Sequence, residues 1–141
     1  MTFIIFSKRF YLSQFKPDDD ENTRRFKQMI MIARIWHGKT AAFHLEAYSD
    51  LLTRLAIPDY RSTEGFRGLT FLRRVDGDEA HFDLITYWED FNAIRNFAGE
   101  DLEKAKYYPE DKEFLLEFED KVQHHEVFAA STLPYFERPH I

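Results

Sequence analysis

His37 is the first residue of this chain whose type and position suit acid–base chemistry. It ends a stretch, 30–37, rich in β-branched and aromatic residues, and strand alternation puts it on one face with Met31, Ala33 and Ile35. An imidazole beside a pocket can take a proton near neutral pH; the plain alternative is a strand-end histidine satisfied by a neighbour. The aromatic residues are the stronger lead. Trp88 ends a later strand, Phe97 belongs to the helix after it, and Tyr107 and Tyr108 come from the helical region expected to cover that strand. An apolar cavity with a few polar groups is the usual form of a small-molecule site. Tyr107 and Tyr108 would orient a phenolic or quinonoid ring there, and Arg34 or Arg73, on strands, would stabilise its anionic form. The competing reading is core packing, with the same rings filling the space themselves.

Other chemistries lack residues. The six histidines (His37, His44, His81, His124, His125, His140) include no pair at helical i, i+4 spacing, so no metal site is expected. His124 and His125 are adjacent on a strand and must face opposite ways, which reads as surface or interface. Cysteine is absent, which removes disulfides and thiolate chemistry and fits a reducing, cytoplasmic setting. No serine lies in a Gly-x-Ser-x-Gly elbow. Five glycines leave no phosphate-cradling loop, and a net charge of −6 without a basic cluster argues against nucleic acid. No apolar run nears the roughly 18–20 residues that span a bilayer, so no membrane is expected either.

The elements that must position these residues read as follows. Residues 30–37 are a strand closed by Gly38. Thr40 is a candidate N-cap for a helix over 41–56, with Ala41, Leu45, Tyr48, Leu51, Leu52 and Leu55 on one stripe and Pro58 as its stop. Residues 66–75 and 79–88 form a hairpin around Asp76-Gly77-Asp78. In its second strand Phe82, Leu84, Thr86 and Trp88 share one face, and His81, Asp83, Ile85 and Tyr87 the other. Asp90 caps a second helix that Gly99 breaks. A further helical turn is expected at 112–117 and a last strand at 122–129.

This βαββαβ order predicts an α+β, ferredoxin-like fold, one antiparallel sheet with both helices on one face. Ile85 and Tyr87 oppose Leu84 and Trp88, so both faces of the sheet are apolar. A second copy of the chain covering the open face, a homodimer, is the expected partner. The domain is placed at 29–130 and an irregular tail at 131–141. Residues 1–28 carry six Lys/Arg against four Asp/Glu, and Phe3-Ile4-Ile5-Phe6 precedes its basic residues, the wrong order for a secretory signal. That segment is expected to be a loosely attached extension, the alternative being a targeting arm.

Four stretches, MIARIWHGKT, PDYRSTEGFRGLTFLRR, HFDLITYWEDFNAIRNFAGED and KAKYYPEDKEFLLEFE, resemble the antibiotic biosynthesis monooxygenase domain family over about 29–128. The resemblance implies a dimeric α/β barrel. It also implies a monooxygenase-like oxidoreductase acting, without a cofactor, on an aromatic small molecule; the alternative is a non-catalytic dimer that binds a small hydrophobic ligand or is purely structural. In such chemistry the substrate's own anion reduces dioxygen, and the protein desolvates and orients it. Haem-degrading relatives carry an asparagine on the first strand, a tryptophan ending the third and a histidine ligand on the second helical region. Here Trp88 matches, while Ala33 and Tyr107 occupy the other two places, so the resemblance implies that haem is not degraded.

Overall fold

The computed structural model describes residues 31–131, together with 18 and 20–22. Four strands make one antiparallel sheet: β1 (Ile32–Ala41), β2 (Phe66–Asp76), β3 (Glu79–Trp88) and β4 (Gln123–Glu126), in the order β2-β3-β1-β4. Helical segments α1 (Leu45–Leu51), α2 (Ile57–Arg61) and α3 (Phe91–Ala98) bury their apolar sides against one face of it. This is the expected ferredoxin-like α+β arrangement. Among the described residues no helix is long and apolar enough to cross a membrane.

Strand alternation sorts the sheet as expected. Ala80, Phe82, Leu84, Thr86 and Trp88 of β3 are buried under the helices, with Ile32, Arg34, Trp36 and Thr40 of β1 beside them. Ile35, Ile85 and Tyr87, half-buried, lie on the open face with His37, Lys39, His81 and Asp83. The hairpin forms around Gly77, whose φ of 62° belongs to the left-handed region glycine tolerates.

Several boundaries differ from the sequence reading. Strand β1 runs on through Gly38 to Ala41. Gly38 is there because the Trp36 indole lies across it: a Cβ would sit 2.2 Å from that ring. Thr40 is consequently a buried strand residue, and the short 3-10 turn Ala42–His44 starts from Ala41 without a side-chain cap. Pro58 does not end the first helix. A π-turn, Leu52–Ala56, intervenes, and the amide of Ile57 bonds the carbonyl of Leu52. Pro58 then falls in the first turn of α2, where its missing N–H breaks no bond.

Later in the chain, the turn expected at 112–117 is a 3-10 turn at Pro109–Glu113, and β4 is only Gln123–Glu126. Asp90 does cap α3, accepting the Ala93 amide at 2.8 Å, and Gly99 ends it at φ 89°. The readings of segment 1–28 and of the tail beyond 131 fall, but for 18 and 20–22, outside the described residues.

Candidate functional site

A cleft opens between the sheet and the first helical run. Its base is the cross-strand pair Trp36 and Leu84. One wall is Tyr48, Leu52, Ala56 and Tyr60, each four residues after the last. On a regular α-helix a four-residue step drifts around the axis, because a turn takes 3.6 residues. The wider π-turn in the middle offsets that drift and keeps Tyr48 and Tyr60 on one side. The other wall comes from the irregular stretch after α3: Lys106, Tyr108 and Asp111. Its cavity is small, ≈ 10 Å³, about the space of one water.

Its polar groups are tightly linked. Asp111, 2% exposed, accepts the Tyr48 hydroxyl at 2.9 Å and the Tyr108 amide at 2.7 Å. Burial raises its carboxyl above the ordinary value, and those two donors only partly counter it. Asp59 accepts the Tyr108 hydroxyl at 2.6 Å and the Lys106 ammonium at 2.9 Å. Burial would raise Asp59 too, but these partners outweigh it and hold the carboxyl below its usual range. Burial, reinforced by the neighbouring carboxylates, pushes the phenols of Tyr48 and Tyr108 far up, so both are neutral donors at neutral pH. The Lys106 ammonium also sits 4.3 Å from the Phe97 ring centre, a cation–π contact.

Of the residues singled out in the sequence, Tyr108 alone lines this cleft among the described residues. Trp88 is not its floor. It is 0% exposed, its indole donates to Thr86 at 2.9 Å, and Tyr60, Phe66 and Phe97 pack around it. Phe97 is likewise core, stacked on Tyr60 at 4.5 Å. Tyr107 packs against Trp36, edge-on at 6.0 Å, with its hydroxyl donating to the Glu119 carbonyl at 2.6 Å. Neither Trp88 nor Tyr107 lines this cleft; Trp36 stands at its base where Trp88 was expected.

The remaining candidates lie elsewhere. His37 is on the open sheet face, paired with the Glu119 carboxylate and with His81 at 3.1 Å. The sheet separates it from the cleft, so it is no base for that site. Arg73 is tied at the rim to Ser49 at 2.8 Å and Glu46 at 2.9 Å. Arg34, 2% exposed, is on the helix side but spent on structure. It donates to the carbonyls of Leu102 and Lys104, the latter at 2.8 Å, and contacts His124 Nε2 at 3.0 Å. Burial lowers its guanidinium to about 10. That contact makes His124 a buried inner-face residue; His125, its neighbour, is exposed. Among the described residues no cluster of three or more metal-ligating side chains converges.

Sequence reasoning missed Trp36, Tyr48, Tyr60, Lys106 and Asp111 as site residues. Tyr48 was legible as part of the helix stripe, whereas Tyr60 lay beyond the proline taken as the helix end.

No family model and no curated protein matches this chain. Solved structures do. A Nitrosomonas europaea protein of unknown function is 17% identical, over 77% of this chain and 98% of that one, with a TM-score of 0.56. A heme-degrading protein from Mycobacterium tuberculosis, heme free, is 18% identical over 72% of this chain and 99% of its own, with a TM-score of 0.50. A Streptomyces coelicolor monooxygenase in complex with Nanaomycin D is 17% identical over 77% and 95%, with a TM-score of 0.48. At such identities the likeness is one of fold. In fold, this chain resembles the Nitrosomonas europaea and Mycobacterium tuberculosis proteins, as its four-stranded antiparallel sheet with helices on one face leads one to expect.

Proposed function

We propose that this protein binds a small aromatic molecule in the cleft between Trp36 and the Tyr48–Tyr60 wall, and oxygenates it without an organic cofactor. One observation carries the reading: a buried carboxyl, Asp111, held above its ordinary value and linked to a phenol that lines the same cleft. Such a group can take a proton from a bound hydroxyarene, relayed through the Tyr48 hydroxyl. The aromatic walls desolvate the resulting anion, which then reduces dioxygen itself. A naphthol plus dioxygen gives a naphthoquinone plus water, so atoms and electrons balance without another reductant. In this reading a ligand enters by displacing Tyr108 and Lys106, which come from the irregular stretch.

A second reading, a non-catalytic binding or structural dimer, is favoured by the small size of the cavity and by the complete packing around Trp88. In both readings a second copy covers the open sheet face, where Leu72 is exposed beside Ile35, Ile85 and Tyr87, and the protein works in the cytoplasm. An oxygen electrode separates the two. Uptake with naphthols or quinols, matched by quinone formation, is the outcome expected of the first; binding of the same compounds with no uptake would leave only the second.

A further inference from the structure

Donors and acceptors around the cleft do not balance. Both oxygens of Asp111 are engaged, and one oxygen of Asp59 already takes a phenol and an ammonium. The hydroxyls of Tyr48 and Tyr108 are spent on those carboxylates. Tyr60 differs. It lines the same cleft and is only 6% exposed, yet among the described residues its hydroxyl donates to no protein group. Its ring is fixed between Phe97 at 4.5 Å, Phe66 at 5.9 Å and Trp88 at 6.2 Å. The hydroxyl lies within electrostatic reach of Arg34, Asp59 and Asp111; Asp111 lines the cleft, and Asp59 is bonded to its Tyr108 and Lys106.

Burial pushes the Tyr60 phenol up to about 12, with Arg34 pulling the other way, so it keeps its proton at neutral pH. The Trp36 indole N–H, on the cleft floor, is a buried donor without a partner among the described residues; it lies near the Tyr107 hydroxyl but outside hydrogen-bonding geometry. The surplus is therefore of donors.

We infer that Tyr60 is the residue that meets the ligand, donating to an acceptor oxygen on it, and that the ligand class is an aromatic ketone or deprotonated phenol rather than a hydrocarbon. This rests on the proposed reading of the cleft as an aromatic site. Because the hydroxyl serves no protein group among the described residues, its removal should separate folding from binding. Tyr60→Phe, without ligand, is expected to unfold at the wild-type temperature or higher. α-Tetralone, which offers only an acceptor oxygen, is expected to bind the wild type about ten-fold more tightly than the variant, equivalent to about 1.4 kcal/mol. Tetralin, the same skeleton without oxygen, should bind both alike, as followed by quenching of tryptophan fluorescence.

Equal tetralone affinity for the two proteins, with the wild type still binding both compounds, would overturn the inference and leave the aromatic site standing. A melting temperature lowered by more than about 5 °C in the variant, the scale of roughly 1 kcal/mol, would make the hydroxyl a structural anchor and also overturn it. Failure of the wild type to bind either compound would overturn the inference and the aromatic reading together.

Discussion

Asp111 sits at the junction between stability and chemistry. Its carboxyl is raised in the folded protein, chiefly by burial. A raised carboxyl contributes stability fully below its unfolded value, about 3.9, and loses it as pH rises through the folded value. The urea midpoint of the wild type minus that of Asp111→Asn is therefore expected to shrink from pH 4 to pH 7. A difference that grows instead would mean that Tyr48 and Tyr108 stabilise the ionised form more than burial opposes it. The two tryptophans show how far residue type was informative. Alternation placed Trp88 on its sheet face correctly, but a face says nothing of depth. Trp88 became core because Thr86, two residues before it on the same face, satisfies its indole N–H. Trp36 became the cleft floor because Gly38 lets its ring lie flat along the strand.

The element order was legible because long periodic runs and the Asp-Gly turn leave few alternatives. What failed were ends, and each failure has a cause. Gly38 was read as a stop when it is a close-packing position. Pro58 was read as a stop because an α-helix has no place for its ring, whereas a π-turn resets the helix just before it. That single misreading hid Tyr60, the best ligand contact in the cleft. The second helix was read correctly because its signals are local: a capping aspartate and a glycine in positive φ. Asp90→Ala should cost about 1 kcal/mol, within the 0.5–2 range for lost N-caps, measured by equilibrium unfolding. No change would show that α3 is held by Phe91, Ile94 and Phe97 alone.

At the scale of the molecule, helices cover one face of the sheet among the described residues, and the other face carries Ile35, Ile85, Tyr87 and exposed Leu72 beside His37, Lys39, His81 and Asp83. Burial of apolar area drives most association, so the open face is expected to meet its own copy. Sedimentation should give a dimer at micromolar concentration, and Leu72→Lys, at an exposed position of that face on the edge strand β2, should shift it toward monomer. A stable wild-type monomer would sink this part of the account. The cleft lies on the opposite side of the sheet, so the dimer and the site can be tested separately.

The position of that site is the central claim, and the chain's two tryptophans report on it directly. In a ¹⁵N–¹H spectrum their indole N–H signals are resolved and assigned with Trp36→Phe. Trp36 floors the cleft with an unpartnered indole N–H, and Trp88 is buried with its N–H on Thr86. Titration with a naphthol is predicted to move the Trp36 signal and leave that of Trp88 in place. Movement of the Trp88 signal alone, or of neither, would contradict the account.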